Sequence, residues 1–155
     1  MASRTGTTIS TACLVLVITA SSNAQSPREQ LAKASIVDCT FTVNAVATWS
    51  NGAPQPQIKT SHLDLRFESV NPDEGTARVV GIFGPADIIV RLSGDTLHLL
   101  QAFREGPLYA TTVFPKETRA GRLQAVHTRH EFTEVSLPGF TSSPEQYYGD
   151  CKVLR

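Results

Sequence analysis

Very little in this 155-residue chain is present in excess, and the scarcities are informative. Fourteen Lys and Arg balance fourteen Asp and Glu. No basic stripe is available to hold nucleic acid or an anionic membrane surface. No apolar run reaches the ~20 residues with which a helix spans a bilayer. There is no Gly-rich loop of the kind that cradles phosphate. Ser142, Ser143 and the histidines are nucleophile and base types, but no Gly-x-Ser-x-Gly elbow gives them a catalytic setting. Glu131 and Glu134, three apart at the end of an expected strand, do not make a carboxylate pair. The three cysteines and four histidines lack the close spacing of a zinc site. No motif calls for a cofactor or a metal, and no internal repeat or low-complexity segment is visible.

What is there begins with an export pattern. One charge, Arg4, precedes the apolar run Ala12 to Ala20, and Ser22-Asn23-Ala24 places small residues where a signal peptidase reads. The expectation is a cleaved leader, Met1 to Ala24, in a periplasmic or secreted protein. Removing 24 residues leaves 131, with 13 basic against 14 acidic side chains, a size that suits one domain from 25 to 155. Cys13 leaves with the leader. Cys39 and Cys151 remain, and in an oxidising compartment the simplest pairing is one disulfide. It would close a loop of 112 residues, for which chain entropy gives about 4 to 5 kcal/mol.

After the leader, Ser26-Pro27-Arg28-Glu29 reads as a capping box opening a short helix through Ala34. The period then changes to two. Val37, Cys39, Phe41, Val43, Ala45, Ala47 and Trp49 alternate with mostly polar residues, a half-buried strand long enough to require a bend or bulge. Asn51-Gly52, Pro54 and Pro56 break it. A second strand holds Leu63, Leu65 and Phe67 on one face. Further strands are expected at 76–83, 87–92, 96–103, 108–114 and 123–132, between turn signals. Leu137-Pro138-Gly139 opens a longer loop, and Ser143-Pro144-Glu145-Gln146 suggests a helical turn ending at Gly149. A last strand covers 150–154.

About eight strands with turn signals every ten residues or so indicate an all-β domain. Short connections favour an antiparallel up-and-down barrel, lipocalin-like in general architecture although no lipocalin signature is matched; a β-sandwich is the alternative. In the barrel the first and last strands are neighbours, so a Cys39–Cys151 bridge would pin the closing seam.

The segment His127-Thr128-Arg129-His130-Glu131 draws attention as a metal or acid–base site. Alternation puts His127 and His130 on opposite faces, so a shared metal would need a bulge. Val126, Thr128, His130 and Phe132 form one face; His127, Arg129 and Glu131 join Leu123 and Ala125 on the other. Gln101 alternates with Leu97, Leu99 and Phe103, and Thr112 lies between Ala110 and Phe114. With the His130 face inward, Gln101, Thr112, Thr128 and His130 become the few polar groups that orient a ligand in an apolar cavity. The alternative is an interior filled with side chains, each polar group satisfied locally. Tyr147, Tyr148 and Trp49 would cover or line an open end. Val79 to Phe83 and Ile88 to Val90 are apolar on both faces and so call for cover, by the helix, a loop or a second subunit.

Three functions follow. Non-enzymatic binding of a small apolar ligand leads. A protein-binding or self-associating module would use a patch at Val80, Ile82 and Ile89. A metal-assisted enzyme would centre on His127 to Glu131.

Overall fold

A computed structural model describes residues 25–81, 84–104, 106–118, 121–131 and 143–155. The expected leader, Ile82, Phe132, Glu134, Ser142 and the Leu137 loop lie outside the described residues. The capping box forms as the sequence suggests: the Ser26 hydroxyl accepts the Glu29 N–H at 3.3 Å, and the Glu29 carboxylate accepts the Ser26 N–H at 3.2 Å. Helix α1 runs Pro27–Ala32. Six residues do not hold a helix unaided. Fully buried Leu31 holds this one, worth roughly 1.5–3 kcal/mol.

Eight strands follow in the described residues: β1 Ile36–Ser50, β2 Ala53–Asn71, β3 Thr76–Gly81, β4 Gly84–Ser93, β5 Thr96–Ala102, β6 Leu108–Glu117, β7 Leu123–His130 and β8 Glu145–Leu154. Each pairs antiparallel with the next, and β8 pairs with β1, so the sheet closes in a ring. The all-β class, the chain-order pairing and the strand number agree with the sequence pattern. Inside lie Val37, Phe41, Phe67, Val90, Leu97, Leu99, Val113 and Leu123, with Leu31 in the same cluster. Helix α1 packs chiefly against β5, β6 and β8, and Arg28 reaches Asp95 in the β4–β5 turn at 3.0 Å. It therefore covers that end of the ring and leaves Val80 and Ile89, 37% and 49% exposed, uncovered.

Three details depart from the sequence reading. In β1 a register shift falls between Phe41 and Val43. The extra residue reverses the phase: Val37, Cys39 and Phe41 face in, then Asn44 and Val46. Val43, Ala45, Ala47 and Trp49, expected on the inward set, turn outward, and Trp49 is 68% exposed.

Pro54 and Pro56 do not end the strand but stand within β2. Asn51 and Gly52 both have positive φ, 50° and 76°, the two-residue hairpin that Asn-Gly favours. In such a hairpin Ser50 and Ala53 exchange backbone hydrogen bonds, so Pro54 and Pro56 occupy positions whose nitrogen points to the outer edge. Among the described residues that edge has no strand partner: β2 meets β3 from Arg66 onward. Proline is tolerated there because no N–H is needed, and it blunts an exposed edge.

The Ser143-Pro144-Glu145-Gln146 pattern starts no helix. Residues from Glu145 belong to β8, paired on both sides with β1 and β7, and those two ladders outweigh a local capping signal.

The seam between β1 and β8 is fixed three ways. Cys39 and Cys151 are register partners joined by a disulfide, with Cα atoms 3.9 Å apart. Arg122 bonds the Asp150 carboxylate and donates to the carbonyls of Asp38 and Asp150 at 3.1 and 3.2 Å. Gly149 packs so closely that a Cβ would lie 2.0 Å from the Thr40 carbonyl oxygen.

Candidate functional site

Closure stacks inward residues of five strands into rungs. One rung reads Leu99, Thr111, His127, Tyr147, Asn44 across β5, β6, β7, β8 and β1; the next reads Gln101, Tyr109, Arg129, Glu145, Val46. Polar groups thus gather on one side of the interior. The opposite wall, from β2 to β4, is Leu63, Leu65, Phe67, Val79 and Ile88, and between them lies a cavity of about 650 Å3. It reaches both sides of the split where β2 runs on beyond its pairing with β3.

His127 is the centre of the polar side. The residue is 4% exposed, and its ring centroid lies within 6 Å of those of Phe41, Tyr109 and Tyr147. Arg129 Nε donates to Nε2 at 3.4 Å. That nitrogen must carry a lone pair, so the proton sits on Nδ1 and is donated to Thr111 Oγ1 at 2.9 Å. Burial first, and then the charge of Arg129, hold the imidazole down at about 3. It is a neutral, fully bonded histidine.

The Arg129 guanidinium lies over Tyr109 and Tyr147, 5.2 and 5.3 Å from the ring centroids. Tyr109 donates its hydroxyl to Glu131 at 2.6 Å, and Tyr147 donates to Glu145. Burial, reinforced by those carboxylates, raises both phenols, Tyr147 to about 12. Two tyrosine–carboxylate pairs therefore clamp one arginine. Among the described residues Arg129 has no ion-pair partner within 4.0 Å.

Of the residues expected to orient a ligand, Gln101 lines the cavity. Thr112, Thr128 and His130 do not. The odd-numbered residues of β6 and β7 face in, so these three lie on the outer surface: Thr112 bonds His98 Nδ1 at 3.1 Å, Thr128 donates to the Ala110 carbonyl, and His130 is exposed. In their place stand Tyr109, Thr111, His127 and Arg129. The signal was present in Leu123 and Ala125, apolar and in phase with His127 and Arg129, but the opposite phase, with Val126 and Phe132, looked equally good in isolation.

No register shift interrupts β7 between Ala125 and His130, so His127 and His130 stay on opposite faces. Among the described residues no group of three His, Cys, Asp or Glu is arranged to hold a metal ion. Also among them, no helix is long and apolar enough to cross a membrane. Comparison with family models, with curated proteins and with solved structures finds no match to the chain.

Proposed function

We propose that the ring is a hollow, lipocalin-like barrel that binds a small, largely apolar ligand without transforming it, in a protein exported to the periplasm or beyond the cell. The observation that carries this reading is the cavity of about 650 Å3, a volume in the range of small-molecule sites. Its walls are mainly aliphatic and aromatic, and its few polar groups converge on one side. Those groups are braced by one another, which orients a ligand better than it activates one: His127 has both nitrogens engaged and stays neutral.

Native mass spectrometry of the purified protein, before and after denaturation, tests the proposal. A small-molecule mass that leaves on unfolding, and is lost in a cavity-filling Leu65→Trp variant, is the expected result. A protein that carries no such mass and takes up no neutral apolar dye refutes it. A second reading, a docking or self-associating module, is favoured by exposed Val80 and Ile89; a bare dimer in the same spectrum would support it instead.

A further inference from the structure

The donor and acceptor inventory of the cavity says which ligand chemistry the polar side is built to read. His127 offers nothing, since Nε2 accepts from Arg129 and Nδ1–H is given to Thr111. Tyr109 and Tyr147 have given their hydroxyl protons to Glu131 and Glu145. Arg129 has five N–H donors; one is spent on His127, and its terminal nitrogens bond no group among the described residues. The guanidinium is nevertheless held in place by two tyrosine rings, and it borders the cavity. Thr111, whose oxygen accepts from His127, keeps its own hydroxyl proton to give. On Thr111 and Arg129, which both border the cavity, the capacity left over is donating, whereas the buried and unpaired Asn44 Oδ1 is not among the residues lining it.

Charge narrows the choice. The carboxylates of Glu131 and Glu145 take the hydroxyls of the two tyrosines whose rings flank the Arg129 guanidinium. A ligand carboxylate held at Arg129 would add a further negative charge close to those two carboxylates, where like charges repel. A carbonyl oxygen accepts the same hydrogen bonds without that penalty.

Resting on the reading of the cavity as a ligand site, we infer that the ligand presents to Arg129 an uncharged hydrogen-bond acceptor, a ketone, ester or amide carbonyl at the end of an apolar body. Gln101, next along the rung from Tyr109, adds an amide N–H donor for the same group.

The test is displacement of N-phenyl-1-naphthylamine, a neutral apolar fluorophore, by a series built on one twelve-carbon chain: dodecanamide, methyl dodecanoate, dodecanoate and dodecyltrimethylammonium. The amide and the ester should displace it at concentrations about tenfold or more below those of dodecanoate and the cation. Arg129→Gln should remove most of that preference, as expected when a hydrogen bond from a charged donor is lost. Arg129→Lys, which keeps the charge but loses the planar fork, should retain only part of it. Dodecanoate competing as well as the amide would overturn the inference while leaving the cavity a ligand site. Failure of the fluorophore and of every member of the series to bind would overturn both. The wild-type ranking alone decides the matter if either variant fails to fold.

Discussion

Lowering the pH from 7 to 5 should destabilise the fold by about 2 kcal/mol through His127 alone. Unfolded, this imidazole has its ordinary value of 6.5; folded, it is held at about 3. As the pH falls below 6.5 the unfolded chain takes up a proton that the folded chain refuses. The contribution is therefore fully present above pH 7 and is lost progressively as the pH falls towards 3. Well inside that window the loss is about 1.4 kcal/mol per pH unit, and rounding near 6.5 brings the total at pH 5 to about 2. The tyrosines that face the ring, Tyr109 and Tyr147, are shifted upward, away from this range. The comparison is His127→Phe, which keeps the bulk against Phe41 but strands Thr111 and Arg129 Nε. It should be about 1–3 kcal/mol less stable at pH 7, and the gap to wild type should shrink by about 2 kcal/mol at pH 5. Urea unfolding followed by far-ultraviolet circular dichroism measures both, since Trp49 at 68% exposure reports poorly on the interior. A gap that stays constant between pH 7 and 5 would refute the reasoning.

Gly149→Ala should unfold the protein or lower its stability by more than about 3 kcal/mol, because the new methyl meets Thr40 O at 2.0 Å and Phe41 Cα at 2.6 Å, both backbone; loss of the cooperative urea transition would show it. Replacing Cys39 and Cys151 by Ala, or reducing the bridge, should cost about 4–5 kcal/mol by the chain-entropy model, read as a lower urea midpoint; an unchanged midpoint would argue against that account. Pro54→Thr with Pro56→Thr restores two N–H groups to the free edge of β2 and should promote edge pairing, seen as concentration-dependent oligomers by light scattering.

Strand number, order and the closing seam were legible because alternation and turn residues mark strands one at a time, and because Cys39 and Cys151 fall in the first and last of them. The prolines of β2 misled for a definite reason. Proline excludes a central strand, and nothing local reveals that Ala53 to Leu65 has no outer strand neighbour among the described residues. The candidate site was half legible. Gln101 stands on a face otherwise apolar, which fixes its direction. On β6 and β7 both faces mix apolar and polar residues, so Thr111 and Thr112, or His127 and His130, exchange places with a change of phase by one residue. Pairing across the ring fixes that phase, and no single strand contains it. The bulge at Phe41 and Val43 is similar: a long run of odd-numbered apolar residues conceals the reversal that turns Trp49 outward.

The disulfide also has a mechanical meaning. Residues 39 to 151 form a covalent loop whose ends meet at adjacent positions of β1 and β8. A force applied to the two termini passes through the bridge and bypasses every strand from β2 to β7. Such a pull can lengthen only the segments outside the loop, 25–38 and 152–155 of the described residues, by at most about 3.5 Å per residue. An unfolding machine that grips either end would meet a cross-link it must admit as two chains abreast before it reached the strands from β2 to β7.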